Sequence, residues 1–304
     1  MFMEKCSLQK LFEKLSKING LQLRMEEPLS LHTGFRTGGS CKMVLAETEQ
    51  AFCEAVSAVR DAQAPYFILG RGSNVLADDC GYDGVVIKYV CDDIAVNGKR
   101  ISAAAGVSLA ALCRAALQES LTGLEFAYGI PGSVGGAVFM NAGAYDGQVA
   151  DVLHSVRFLD EHGRVRELSA DELKLSYRHS IFHEQRDWVI LSAEFELKYG
   201  DQAAINTKME ELMGRRIEKQ PLDYPSCGST FKRPVGAYAS KLIDDCGLKG
   251  LAVGGAQVSE KHCGFVINRG GATSNDILCL CNKVKQIVLE KTGFELELEV
   301  ELLK

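Results

Sequence analysis

Eleven residues, SNVLADDCGYD (73–83), separate a glycine-rich turn from the apolar run GVVIKYV (84–90), and they carry no helical stripe. A right-handed crossover between parallel strands needs a dozen residues or more, usually including a helix. The turn itself, GRGSNVL (70–76), follows the apolar run PYFILG (65–70) as a dinucleotide fingerprint does. Asp92 and Asp93 stand about twenty residues on, where such folds place a ribose-binding acid. Val75 nevertheless occupies the third glycine position, and the missing crossover excludes a doubly wound sheet. A second loop, GIPGSVGGAVFMNAGAY (129–145), is also rich in glycine and carries no charge. Neither loop contains GK[ST], so a P-loop is excluded too.

Glycines let backbone N–H groups approach a ligand, and consecutive N–H groups form an anion-binding nest. Ser73 and Asn74 add short polar side chains. Pro131 stiffens the entry to the second loop, where Gly132, Gly135 and Gly136 are expected to leave the backbone uncovered. Asn141 and Gly143 begin a second turn there. Two such loops in one domain fit a diphosphate held by backbone N–H groups. Two tight turns beside a close helix–strand contact are the alternative.

The rest of the chain is globular: 304 residues, 46% hydrophobic and 24% charged, enough for two or three domains. A formal charge of −6 and the lack of a basic stripe argue against nucleic-acid binding. No apolar run reaches the roughly 18 residues of a membrane span. The start, MFMEKCSLQKLFEKL, is too charged for a secretory signal, so a cytoplasmic protein is expected. Eleven cysteines include no CxxC pair and suggest neither a disulfide framework nor a metal site.

Apolar spacing predicts helices over 7–18, capped by Ser7, and over 49–62, 108–119 and 202–218, the last broken at Gln220–Pro221. It predicts strands over 65–70, 84–90, 188–199 and 264–270. Near the end, ASKLIDDCGLKG reads as a helix stopped by Gly247, and a longer helix runs from Thr273 or Ser274 to Gly293. FELELEVELLK reads as a closing strand of strict alternation, with Phe294, Leu296, Leu298, Val300 and Leu302 on one face and Glu295, Glu297, Glu299 and Glu301 on the other. Alternation alone cannot choose among these glutamates.

Six blocks occur in a fixed order: GFRTGG (34–39), LGRGSNVL (69–76), GLEFAYGIPGSVGGAVFMNAGAYDGQVADVL (123–153), YRHSIF (177–182), QPLDYPSCGSTFKRP (220–234) and GLKGLAVGGAQVSEKHCGFVIN (247–268). Together they resemble the UDP-N-acetylenolpyruvoylglucosamine reductases, in the shorter of that family's two structural types, over nearly the whole chain from about residue 28. The resemblance implies an α+β fold. A vanillyl-alcohol-oxidase/PCMH-type FAD-binding domain in two subdomains precedes a C-terminal α+β substrate-binding domain. The expected division is a lead-in over 1–30, the FAD domain over 31–199 with its subdomains split near 95–105, and the substrate domain over 200–304.

The reaction implied has two stages. Hydride passes from NADPH to FAD, then from flavin N5 to C3 of an enolpyruvyl ether on a UDP-sugar. Charge develops on C2 and the carboxylate, and protonation of C2 gives the lactyl ether, UDP-N-acetylmuramate. The resemblance places the cofactor contacts at Gly70, Arg71, Gly72, Ser73, Asn74, Val75, Leu76, Ile130, Gly132, Gly135, Gly136, Gly143 and Ala144. It makes Arg178 the ligand of the substrate carboxylate, for which a planar guanidinium offers two parallel charged hydrogen bonds. It makes Ser229 the proton donor to C2. It selects Glu299 through the closing LELEV, to polarise the enolate or assist protonation. Tyr177, Arg216, Lys232 and His262 fall in its substrate-contact regions, although His262 reads equally well as a structural histidine. Three residues depart from the family pattern: Gly34 replaces a hydroxyl residue, Arg71 a glycine and Gly264 an asparagine. A different flavoenzyme on the same domain would lack Arg178, Ser229 and Glu299. An inactive nucleotide-binding protein is the alternative from another class.

Overall fold

The computed structural model describes residues 2–304, with side chains from Leu8 onward. The side chain of Ser7, expected as a cap, lies outside the described residues, and the first helix spans Phe2–Leu15 rather than starting at 7. The chain forms two compact units. One comprises the residues up to Arg24 with Met43–Arg71 and Gly84–Arg215; the other comprises Met25–Lys42, Gly72–Asp83 and Arg216–Lys304. The boundaries fall inside strands Leu21–Pro28, Ser40–Ala46 and Tyr82–Tyr89, inside the helix Gln202–Lys219, and within the first glycine loop.

In the first unit, local chemistry sets the helices. Thr48 Oγ1 accepts the Ala51 N–H at 3.1 Å and starts Glu49–Asp61, while Ser108 Oγ accepts the Ala111 N–H at 3.2 Å and starts Leu109–Gln118. Their apolar stripes bury Phe52, Val56, Val59, Leu109 and Leu112 in one core, at about 1.5–3 kcal/mol for each large side chain. Tyr66–Ile68 runs parallel to Tyr82–Tyr89, with Tyr66 opposite Val85. A five-stranded antiparallel sheet follows, in the order Val165–Ser169, Leu153–Leu159, Val189–Glu196, Arg100–Ala104, Ile94–Asn97.

The second unit has its own core around Phe35, Phe231, Ile243, Leu280 and Val284. Its longest helix, Ser274–Thr292, opens on a capping box between Thr273 and Asp276 and closes at Gly293 with φ +76°. The Asp79 carboxylate accepts the Ser274 N–H and Oγ–H at 2.8 Å, placing negative charge at the positive helix end. The expected closing strand is shorter than the alternation suggests. Only Glu301–Leu303 is a strand, paired parallel with Val75–Ala77, and Leu303 rather than Leu302 is buried. That pairing sets which side chains face inward, so the regular alternation ends at Val300.

Candidate active site

The first glycine loop leaves the strand Tyr66–Ile68 after Leu69, whose N–H donates to Ile87 O at 2.9 Å. The backbone amides of Gly70, Arg71, Gly72 and Ser73 then donate to no protein acceptor among the described residues. Gly72 is buried with φ +64°, and a Cβ there would strike the His32 carbonyl. Its own carbonyl accepts the Gly34 N–H at 2.9 Å. A left-handed residue in such a run turns successive amides toward one side, the geometry of an anion nest. Arg71 is exposed. Asn74 turns elsewhere: its Nδ2 donates to Glu299 O at 3.0 Å and its carbonyl accepts the Glu301 N–H at 2.9 Å. Val75 and Leu76 are buried in the strand beyond.

The second loop differs from expectation at Gly135. Its backbone is not uncovered: the amide donates to Ala105 O at 2.9 Å, and a Cβ would lie 2.9 Å from Ala105 Cβ. Gly135 permits close packing, with the Val134 N–H likewise bound to Val107 O at 2.8 Å. Ser133 caps the short helix Val134–Phe139 by accepting the Gly136 N–H, and Gly136 is exposed. A Cβ on Gly70 would sit 2.6 Å from Ser133 Oγ, so the missing side chain lets the two loops meet. Ile130 and Gly132 are half-buried at the loop entry. Further on, Gly143 and Ala144 pair with Gln148 and Gly147. The hairpin turns through Tyr145 (φ +52°) and Asp146 (φ +64°), the two positive angles that a tight I′-like turn requires.

Arg178 sits in a four-residue turn in which Ser176 and His179 exchange backbone hydrogen bonds at 3.1 and 3.2 Å. Its φ is +54°, a left-handed conformation that a side-chain-bearing residue keeps only when its surroundings impose it. The guanidinium lies 5.3 Å from the Tyr177 ring centre, and Nη2 donates to Gly143 O at 3.3 Å. The structure thus joins the turn of Arg178 to the hairpin of the second glycine loop.

In the second unit the backbone brings Ser229 and Glu299 onto adjacent segments. The Glu299 N–H donates to Thr230 O at 2.9 Å, Phe231 bridges Leu298, and the Lys232 N–H donates to Glu297 O at 2.9 Å. Thr230 is buried, with its amide on Gly264 O and its Oγ1 accepting the Val266 N–H, and this fixes the base of the Ser229 segment. Ser229 is exposed. Among the alternating glutamates, Glu295 and Glu297 are exposed whereas Glu299 and Glu301 are half-buried. Lys232 Nζ pairs with Glu297 at 3.4 Å in the open. Arg216 lies half-buried in the last turn of its helix. His262 Nδ1 accepts the Gly264 N–H at 3.1 Å and its ring stacks edge-on with Phe265. Burial lowers its pKa from 6.5, against a smaller upward pull from a backbone hydrogen bond.

Residues 42–169 match the FAD binding domain family, and residues 220–303 match the family described as UDP-N-acetylenolpyruvoylglucosamine reductase, C-terminal domain. A UDP-N-acetylenolpyruvoylglucosamine reductase of Clostridium perfringens (strain SM101 / Type A) is 46% identical over 287 residues, 94% of each chain. The chain belongs to that reductase family. A reductase of the same name from Caldanaerobacter subterraneus subsp. tengcongensis is 47% identical, over 92% of this chain and 93% of its own. The crystal structure of the Thermus caldophilus reductase superposes with a TM-score of 0.81 at 33% identity, covering 93% of this chain and all of that one. Family membership makes the chain a flavin-dependent oxidoreductase on an α+β, PCMH-type FAD-binding domain. Four donor amides about a left-handed Gly72 suit the flavin's diphosphate.

Two departures from the reductase pattern have packing reasons. A Cβ on Gly34 would lie 2.5 Å from Ser226 O, leaving no room for a hydroxyl residue, and one on Gly264 would lie 3.0 Å from His262 Cε1. The sequence marked Asn141 only as the start of a turn, whereas the structure buries it between the hairpin and the Arg178 turn.

Proposed function

We propose that this reductase converts UDP-N-acetylglucosamine enolpyruvate to UDP-N-acetylmuramate, with NADPH as hydride donor, in the cytoplasmic synthesis of peptidoglycan precursors. The observation that carries the reading is the 46% identity to a named reductase across 94% of both chains. Bound FAD supplies the hydride-carrier chemistry that no amino-acid side chain offers. The amides of Gly70–Ser73, with Arg71 beside them, hold its diphosphate, and the second loop from Ile130 to Ala144 shapes the neighbouring wall.

Arg178 binds the substrate carboxylate and steadies the charge that develops there as C2 becomes enolate-like. Its strained, Tyr177-backed turn supports that role, since strain is retained where a side chain must be aimed. Ser229 gives the proton to C2. Glu299 polarises the enolate or assists that transfer, and the backbone pairing of 230–232, next to Ser229, with 297–299 supports one shared task. Tyr177, Arg216, Lys232 and His262 contact the nucleotide sugar.

The test is NADPH oxidation by the purified flavoprotein, with and without UDP-N-acetylglucosamine enolpyruvate. Oxidation that depends on the substrate and yields the muramate product supports the reading. Oxidation at the same rate without it, and no muramate, overturns it.

A further inference from the structure

The carboxamide of Asn141 is buried and makes hydrogen bonds in two directions. Toward its own loop, Oδ1 accepts the Ala150 N–H at 2.9 Å and Nδ2 donates to Gln148 Oε1 at 3.2 Å. Toward the neighbouring turn, the same Nδ2 donates to Ser176 O at 2.9 Å. Ser176 opens the turn that holds Arg178 at φ +54°, and Gln148 ends the hairpin that starts at Gly143. Arg178 closes the circuit by donating to Gly143 O at 3.3 Å. Asn141 itself has φ +40°, a region that asparagine tolerates better than most residues.

We infer that Asn141 is a positioning residue for Arg178, locking the hairpin of the second glycine loop to the turn that aims the guanidinium. The inference rests on the reading of Arg178 as the ligand of the substrate carboxylate. Physically, the Arg178 turn is free to relax out of its left-handed angle unless its ends are held. The Ser176 carbonyl is one end: it takes the His179 N–H from within the turn and Asn141 Nδ2 from outside it, and only the second bond ties the turn to the hairpin. Releasing it changes φ at residue 178 and swings the guanidinium away from the Gly143 side. A displacement of about 1 Å in a group that grips the reacting substrate costs on the order of 100-fold in rate.

Two variants separate position from mere folding. Asn141→Asp keeps the size and the acceptor for the Ala150 N–H, but faces the Ser176 and Gln148 oxygens with a group that has no proton to donate. Asn141→Gly removes the side chain and accepts φ +40° without strain, so it carries the test if the Asp variant does not fold. Each FAD-loaded variant is assayed for flavin bleaching by NADPH and for reoxidation of the reduced flavin by UDP-N-acetylglucosamine enolpyruvate. The reoxidation step is expected to slow by about 10- to 100-fold, while bleaching changes by less than about twofold. In an Arg178→Ala background the Asn141 variants are expected to slow reoxidation no further.

Wild-type reoxidation in both variants overturns the inference. So does a full, additive slowing in the Arg178→Ala background, which leaves the reading of Arg178 intact. An Arg178→Ala enzyme with wild-type turnover removes that reading and the inference with it.

Discussion

Gly72→Ala separates the two demands that the first glycine loop makes on one residue. The first is backbone conformation. At φ +64° an alanine costs about 1–2 kcal/mol of folding stability. The second is space. The new Cβ runs into the His32 carbonyl, a backbone atom that cannot rotate aside, so the loop or the His32–Gly34 turn must move. Either movement loosens the bond from the Gly34 N–H to Gly72 O and tilts the amides of Gly70–Ser73. A hydrogen bond to a charged group contributes about 1.5–3 kcal/mol, so losing one amide from a diphosphate weakens FAD binding by roughly 10- to 150-fold. The assay is fluorescence titration of FAD into apoprotein, with denaturant unfolding of the same apoprotein. Gly98→Ala is the control: its φ is +61° and nothing lies within 4 Å of the added Cβ. It is expected to lose about 1 kcal/mol of stability and keep its FAD affinity. If Gly72→Ala bound FAD as tightly as the parent, the nest would not hold the diphosphate and the reasoning would fall.

Other outcomes follow from the same geometry. Ser229→Ala is expected to leave NADPH-driven flavin bleaching intact and slow reoxidation by substrate by about 10²- to 10⁴-fold, read by stopped flow; unchanged reoxidation removes Ser229 as proton donor. Glu299→Gln should slow the same step, and an effect on bleaching alone would remove it from substrate chemistry. His262 is held neutral below its ordinary pKa of 6.5, so the unfolded chain takes up the proton first. Stability therefore falls as pH drops from about 6.5 toward the lower folded-state pKa, and His262→Gln should flatten that slope in denaturant melts across the window. Gly34→Ser, which restores the family's hydroxyl residue, should cost about 1–3 kcal/mol in this chain because Ser226 O occupies the space; a neutral result in denaturant unfolding would show that the turn yields freely.

Local chemistry made much of this protein legible. Thr273 or Ser274 reads as the start of a long helix and Gly247 and Gly293 as stops, and in the structure Thr273 is the cap and both glycines take positive φ. The eleven residues after the first glycine turn hold no helix, as expected, yet the strands on either side, Tyr66–Ile68 and Tyr82–Tyr89, do run parallel, because their connection passes through the short strand Val75–Ala77 instead of a helix. Among the described residues no helix is long and apolar enough to cross a membrane.

Other features depend on partners far away in the chain. Val75–Ala77 is a strand only because Glu301–Leu303 pairs with it, some 226 positions later, and no local pattern in three apolar residues announces that. Four glutamates at period two are equivalent on paper, and burial divides Glu299 and Glu301 from Glu295 and Glu297. Gly135 and Gly72 look alike as letters. One needs its bareness to pack on Ala105, the other to clear His32 at a positive φ. The order of blocks in the sequence pointed to the family, which the 46% identity to a named reductase shows, and named the candidates for its chemistry. Only the tertiary structure decided how they are held: Arg178 in a left-handed turn tied to the second loop through Asn141, and Glu299 set beside the Ser229 segment. Capping and turning act over a few residues, whereas strain and non-local pairing exist only once the chain has closed on itself.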